Sequence, residues 1–119
     1  MIQYIASDVD GTLLHGHATT LNPELFDIIR QLKEHGIHFI AASGRQYRTL
    51  QRLFAPVKND ISYVAENGSM CVHDGKIVSL GHIDTDLIYE IADAAKEYGH
   101  CHTLISTART GYTDSKDSD

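Results

Sequence analysis

The sequence contains few of the features that mark several large classes of proteins. Its two cysteines, Cys71 and Cys101, are too few for a disulfide framework, so we expect reduced thiols and a cytoplasmic protein. No apolar run is long enough to cross a membrane, and the N-terminus lacks the basic and apolar segments of a signal peptide. There is no cluster of basic residues, and a formal net charge of −6 argues against nucleic acid as a partner.

Apolar residues make up 42% of the 119 residues, which is enough for one small domain with a modest core. Apolar runs at residues 2–6, 37–42 and 61–65 predict three buried strands. Helices are predicted between them, the first opening at Asn22-Pro23 and the second covering residues 46–54. Strand, helix and strand within this length form a βαβ unit, so the predicted fold class is α/β with parallel strands.

A hairpin is predicted after the third strand, with its turn at Asp74-Gly75. The composition then shifts near residue 82, and a helix capped by Asp84 or Asp86 follows. Two short strands are predicted beyond it, at residues 102–107 and 112–113. These elements read as the start of a second module.

The first strand leads directly into an acidic turn, Ser7-Asp8-Val9-Asp10-Gly11-Thr12-Leu13-Leu14. Side chains two residues apart share one face of a strand, so Asp8 and Asp10 are predicted to converge before Gly11 lets the chain turn away. Two carboxylates in that arrangement repel each other unless a cation lies between them. We therefore predict that Asp8 and Asp10 bind a hard divalent metal, Mg²⁺.

Two other interpretations of this turn compete with a magnesium site. An EF-hand loop beginning at Asp8 would need glycine at its sixth position and glutamate at its twelfth, but Leu13 and Thr19 stand there, so the EF-hand is excluded. An ordinary polar turn remains an alternative, because Asp-Gly is a common turn pair.

The histidines do not predict a metal site. His15 and His17 have no third ligand nearby, so we expect them in a solvated loop. His100 and His102 flank Cys101, but close neighbours on a strand point to alternate faces, which disfavours zinc. A nucleotide-binding module is disfavoured as well, because neither a Walker A string nor Gly-x-Gly-x-x-Gly is present.

Polar turns also follow the second and third strands. Ser43-Gly44-Arg45 comes after the second, and Asn67-Gly68 after the third. Ligands of open α/β sheets bind beyond the carboxyl ends of the parallel strands, so we expect these turns on one rim with Asp8 and Asp10. The Ser43 hydroxyl and the amides at the start of the next helix could hold phosphoryl oxygens. Ser43 as a simple helix cap, and Asn67 as a left-handed turn residue, remain alternatives.

The Asp-x-Asp-Gly-Thr-Leu string behind an apolar strand resembles motif I of the haloacid dehalogenase (HAD) superfamily of phosphohydrolases, and Ser43 matches its motif II. Ser43-Gly44-Arg45 before a helix and Glu66-Asn67-Gly68 after the third strand resemble the Cof-type branch. The resemblance implies an HAD-like Rossmannoid core, a three-layer parallel-sheet fold that is incomplete here, over residues 1–81. It also implies that residues 82–119 begin an α+β cap, which in this family selects the substrate and closes over the site.

The resemblance implies a function as well. It is that of a Mg²⁺-dependent phosphatase that acts on a small phosphorylated metabolite, such as a sugar phosphate, through an aspartyl-phosphate intermediate. Asp8 would be the nucleophile and Asp10 the general acid and base, and both would lie at the metal. The other residues that would contact the phosphate or the substrate are Gly11, Ser43, Gly44, Arg45 and Asn67.

The resemblance covers only the first half of a family member. The motif III lysine and motif IV acidic pair follow the cap in the family and are missing here. Asp114, Asp117 and Asp119 do not replace them, because they lie in residues 113–119, which we predict to be a frayed tail. An alternative hypothesis is an inactive truncated remnant or an interaction module. An apolar sheet edge at residues 2–6 would then be open, and open edges self-associate.

Overall fold

The computed structural model describes residues 1–113, which fall into two compact units divided between Leu80 and Gly81. We predicted the division one residue later. That the two units are a hydrolase core and the beginning of a cap stays a prediction. The tail predicted at residues 113–119 lies outside the described residues apart from Thr113, which ends a strand. No helix among the described residues has both the length and the apolar character to cross a bilayer.

The first unit is a five-stranded mixed sheet with two helices. The strands lie in chain order, with the first three parallel and the last two antiparallel to their neighbours. The elements, in order, are β1 (Tyr4–Asp8), α1 (Pro23–Glu34), β2 (His38–Ala42), α2 (Tyr47–Leu53), β3 (Ser62–Ala65), β4 (Met70–His73) and β5 (Lys76–Leu80). The sequence therefore predicted the type and order of every strand and α-helix of this unit, but not the short 3-10 helices at Ala55–Val57 and Glu66–Gly68.

The α1 helix shows why these segments fold as they do. The Asn22 side chain accepts a hydrogen bond from the Glu24 amide at 3.0 Å, and Pro23 is the first helical residue. Ile29, on the apolar face, is almost completely buried against the sheet. After the helix ends at Glu34, the chain turns away at Gly36, whose φ of 72° is a conformation that glycine adopts without strain. β1, β2 and β3 are consecutive neighbours in the sheet. Because crossovers between parallel strands are right-handed as a rule, α1 and α2 are expected on the same face of the sheet.

The first strand is an edge strand, and the prediction that it is buried is wrong. It spans Tyr4–Asp8, later than residues 2–6, and its residues alternate between exposed and half-buried as they point to opposite faces. Among residues 1–113, only β2 pairs with it. The His38 amide donates to the Gln3 carbonyl at 2.8 Å. In a parallel pair, the backbone groups of alternate residues face the neighbouring strand, so this bond shows which residues of β1 face β2. The N–H and C=O groups of Tyr4 and Ala6 therefore point to the open edge.

The second unit contains α3 (Thr85–Tyr98), β6 (Leu104–Ser106) and β7 (Gly111–Thr113), and the two strands form an antiparallel pair. Asp84 is the N-terminal cap, one of the two predicted, and Gly99 ends the helix with φ 74°. None of the residues described in this unit, up to Thr113, is fully buried. These elements alone therefore enclose no core of their own.

Candidate active site

The acidic turn is a tight loop fixed by the backbone. Asp8 is the last residue of β1 and lies opposite Ala42 in β2, so the chain leaves both strands at the same rim. The amides of Leu13 and Leu14 both donate to the carbonyl of Val9 at 2.9 Å, and the Val9 side chain is completely buried. The loop is thus anchored to the core through Val9, between the two carboxylates.

The two carboxylates have different partners. Asp8 Oδ2 accepts a hydrogen bond from Thr12 Oγ1 at 3.1 Å, a contact that sequence reasoning missed although Thr12 lies within the quoted motif. Since β1 ends at Asp8, the strand alternation used to predict that Asp8 and Asp10 converge does not extend to Asp10. The position of Asp10 is fixed by residues that follow β2.

Asp10 lies at the centre of a polar cluster with Ser43 and Arg45. Ser43 Oγ donates to Asp10 Oδ2 at 3.3 Å. Arg45 grips the same carboxylate with two nitrogens, Nε at 3.0 Å from Oδ2 and Nη2 at 2.7 Å from Oδ1. The structure therefore brings together the first and second predicted turns. Sequence reasoning placed Arg45 near a substrate and missed its ion pair with Asp10.

This ion pair determines the protonation of Asp10. Hydrogen bonds from Arg45 are the main cause that holds the pKa of Asp10 below its usual value. Desolvation opposes them, and the charge of Arg45 and the hydrogen bond from Ser43 lower the pKa by smaller amounts. Asp10 is therefore a carboxylate near neutral pH in this conformation. The same contact raises the pKa of Arg45.

Ser43 is buried, and it does not cap the following helix. Its Oγ accepts a hydrogen bond from the Arg45 amide at 3.1 Å, whereas α2 begins at Tyr47 with Gln46 as its cap. The alternative in which Ser43 is a simple helix cap is therefore wrong, because the helix begins four residues later. That the Ser43 hydroxyl and the first amides of α2 hold phosphoryl oxygens stays a prediction. The amide nearest to the hydroxyl is that of Arg45, in the turn itself.

The third turn joins the same cluster through the backbone. The Asn67 amide donates to the Ser43 carbonyl at 3.2 Å, and the Glu66 amide donates to the Arg45 carbonyl at 3.0 Å. Asn67 has φ 55°, so it is the left-handed turn residue of the alternative interpretation. Its side chain also lies against Gly44, where a Cβ would be only 3.0 Å from Asn67 Oδ1. The three predicted turns thus form one connected rim.

The residues present fit Mg²⁺ by donor type. Mg²⁺ takes oxygen ligands and needs only one or two carboxylates, completing its shell with water and phosphate. Asp10 is occupied by Arg45, so Asp8 is the better placed ligand. Within residues 1–113 no three histidine, cysteine, aspartate or glutamate side chains come together as a closed metal site.

The chain is similar to several known proteins. The model of a family described as haloacid dehalogenase-like hydrolase matches residues 5–119. The Escherichia coli 5-amino-6-(5-phospho-D-ribitylamino)uracil phosphatase YbjI is 37% identical over 92 residues, 77% of this chain and 34% of that protein. Phosphoglycolate phosphatase 1 of Saccharolobus solfataricus is 28% identical over 109 residues, 85% of this chain and 48% of that protein.

A solved structure shows the same fold. A crystal structure from Eubacterium rectale superposes with a TM-score of 0.84 at 26% identity, over 98% of this chain and 44% of that one. This agreement confirms the predicted fold class, an incomplete α/β core of the haloacid dehalogenase type. The chain spans between about a third and a half of the length of the proteins it matches here.

Proposed function

The chain belongs to the haloacid dehalogenase-like hydrolase family, in its Cof-type branch, and from this premise we propose that it carries the nucleophile and the acid–base group of a phosphatase for small phosphorylated metabolites. The observation that carries the proposal is the contact of Asp10 with both Ser43 and Arg45, at the rim where Asp8 ends β1. In the proposed site, two carboxylates, a hydroxyl and a guanidinium would all contact one phosphate group.

The proposed reaction has two displacements at phosphorus. A carboxylate oxygen of Asp8 attacks the phosphorus, the bond from phosphorus to the ester oxygen breaks, and the leaving oxygen takes a proton from the carboxylic acid of Asp10. Water then attacks the aspartyl-phosphate, giving its proton to the Asp10 carboxylate. The bond from phosphorus to the Asp8 oxygen breaks, and phosphate and a free Asp8 carboxylate are released.

The ion pair with Arg45 must open for the first step. Asp10 has to be protonated to act as an acid, but Arg45 holds its pKa below the usual value. A phosphate dianion competes with Asp10 for the guanidinium, because the planar fork of arginine pairs with phosphate oxygens. We infer that substrate binding moves Arg45 from Asp10 to the phosphoryl group and so lets the pKa of Asp10 rise.

The remaining site residues have supporting roles in this proposal. Ser43 donates its hydroxyl to a phosphoryl oxygen, and Gly11 and Gly44 let the backbone approach the phosphate without a side chain in the way. The Asn67 side chain is packed against Gly44, and in this proposal it would contact the substrate. Asp8, together with a main-chain carbonyl at Asp10, would hold Mg²⁺, which when bound neutralises charge on the phosphoryl group.

The substrate class is proposed from the relatives. The Escherichia coli relative is named for a phosphorylated ribitylaminouracil, and the Saccharolobus solfataricus relative for phosphoglycolate. Both are small phosphate esters, which favours a small phosphorylated metabolite, such as a sugar phosphate, for this chain. We further propose that residues 82–119 are the beginning of the cap that selects it.

Hydrolysis of 4-nitrophenyl phosphate by the purified chain tests this function. We expect turnover that requires Mg²⁺, stops with EDTA and is lost in Asp8→Asn. Asp27→Asn, which changes an exposed aspartate of α1 that pairs with Arg30, is the matched control and should retain activity. Turnover that persists in Asp8→Asn would contradict the proposal. No turnover by a chain with a normal circular dichroism spectrum would favour the inactive remnant.

A further inference from the structure

An open cavity of about 310 Å³ lies in the first unit, beside the candidate active site. It is formed by the loop that precedes α1, the first turn of α1 and one side of α2. Its volume is within the range of sites that hold small molecules. None of the roles proposed above for the catalytic residues uses it.

Two arginines give the cavity a positive wall. Arg45 and Arg52 both line it, and none of its lining residues is acidic. Arg45 shares its charge with Asp10, but Arg52 is exposed, and no carboxylate within residues 1–113 forms a described ion pair with it. An arginine with no acidic partner offers a full charge and several N–H donors to a ligand.

The rest of the lining is partly polar and partly apolar. Thr19, Thr20 and Thr49 supply hydroxyl groups that can donate to an anion. The apolar part includes Phe26 and Leu53, which are packed against the core. A cavity that combines a cation, hydroxyls and apolar surface suits a ligand with an anionic end and an apolar body.

We propose that this cavity binds an organic anion in which a phosphate or carboxylate group is joined to a ring or another small apolar body. Arg52 and the Thr49 hydroxyl hold the anionic group, and Phe26 and Leu53 cover the apolar body. The inference rests on the cavity alone and does not depend on the proposed phosphatase activity. Because Arg45 lines the cavity and also grips Asp10, a ligand there would adjoin the candidate active site.

Nuclear magnetic resonance titration of the 119-residue chain with three probes tests the proposal. Phenylphosphonate and benzoate each combine a ring with an anion, as phosphonate or carboxylate, and neither can be hydrolysed. Methylphosphonate is the control that lacks the ring. We expect saturable shifts at the backbone amides of Thr20, Thr49 and Arg52 with at least one aromatic probe. Methylphosphonate should bind at least about tenfold more weakly, and the aromatic probe that binds identifies the anionic group.

Matched variants locate the anion. Arg52→Gln should weaken binding of the aromatic probe at least about tenfold, and Thr49→Val should weaken it less. Arg48→Gln is the control, because Arg48 lies one turn earlier on the exposed side of α2 and does not line the cavity. It should leave the affinity within about twofold. Retained dispersion of the amide signals shows that each variant is folded.

Three results would overturn the inference. They are the absence of saturable shifts with every probe, equal losses in Arg52→Gln and Arg48→Gln, and shifts confined to residues 8–12. Asp8→Asn separates this inference from the proposed function. That variant should lose phosphatase turnover while the aromatic probe still binds the cavity with its original affinity.

Discussion

The ion pair of Arg45 with Asp10 is the contact on which the proposed chemistry of the site depends. It joins the turn after β1 to the turn after β2, with side chains that are 36% and 52% exposed. An exposed pair of this kind contributes about 0–1 kcal/mol to the stability of the fold. Its larger effect is on the protonation of Asp10, which a catalytic acid must be able to change.

Replacing Arg45 with glutamine should raise the pKa of Asp10. The glutamine removes both the hydrogen bonds and the charge that hold this pKa low. Titration of the side-chain carboxyl carbons by nuclear magnetic resonance measures the change, and Arg48→Gln, which does not touch Asp10, should leave the pKa in place. An unchanged pKa in Arg45→Gln would show that Arg45 does not control Asp10.

The same ion pair predicts a weak acid dependence of stability. A carboxylate whose pKa is lowered in the folded state stabilises the fold above its unfolded pKa, and the contribution is lost as pH falls through the folded pKa. Arg45→Gln should therefore cost no more than about 1 kcal/mol at pH 7. The difference in free energy of unfolding between Arg45→Gln and the wild type, measured by urea unfolding, should shrink below pH 4.

Gly44 and Asn67 form a second, purely steric contact at the site. A Cβ at Gly44 would be 3.0 Å from Asn67 Oδ1, closer than side chains normally pack. Gly44→Ala should destabilise the chain by about 1–3 kcal/mol, the usual cost of overpacking. In the Asn67→Gly background the cost should largely vanish, because glycine keeps the left-handed turn and removes the clash. Urea unfolding of the four variants in the cycle measures this coupling, and equal costs in both backgrounds would refute the clash.

At the scale of the elements, β2, β3 and β4 are linked by a cluster at the end of the sheet opposite the site. Ser62 Oγ contacts His38 Nε2 at 2.7 Å and His73 Nδ1 at 2.6 Å. One hydroxyl can donate to only one of the two rings, so the other imidazole must donate its N–H. The cluster is therefore satisfied when both rings are neutral.

Protonation of His38 should reduce the stability of the fold. Burial lowers the pKa of His38 below its ordinary 6.5, and His73 and Lys33 act in the same direction, while Asp74 opposes them. The unfolded chain then binds more protons in the window between the lowered pKa and 6.5. The stabilising contribution is present above pH 6.5 and is lost as pH falls through the folded pKa.

The measurement is the urea midpoint between pH 7.5 and pH 5. We expect the urea midpoint of the wild type to fall as the pH is lowered. It should fall less steeply in His38→Gln, whose amide can still hydrogen-bond Ser62. His35→Gln, at the exposed end of α1, should follow the wild type. A wild-type slope in His38→Gln would show that another group is responsible.

Local sequence signals predicted most of these elements, and tertiary pairing explains the rest. The cap at Asn22 and the glycine turns are local, so α1 and the hairpin were predicted within about two residues. The burial of β1 was not, because it depends on whether a strand covers its outer edge. The contacts of Arg45 with Asp10 and of His38 with His73 join residues more than 30 positions apart. No local spacing in the sequence predicts such contacts.

For the whole molecule, the open edge of β1 predicts self-association. The outward N–H and C=O groups of Tyr4 and Ala6 have no strand beside them within residues 1–113, and β1 carries neither proline nor lysine to block pairing. Sedimentation should show an average mass that rises with concentration. Ala6→Pro removes one outward donor without touching the bonds to β2, and should reduce the association. Ala6→Val, which keeps the donor, is the control; equal association in both variants would exclude this edge.

The order of the strands in the sheet has a consequence for how the chain acquires its structure. Every strand of the first unit pairs with the one made just before it, so no step must wait for a distant segment. Pairing in the order of synthesis limits the length of chain that each step must close, and so limits the loop entropy lost at that step. During synthesis, the sheet from β1 to β5 can therefore assemble as soon as Leu80 has left the ribosome, before the second unit emerges.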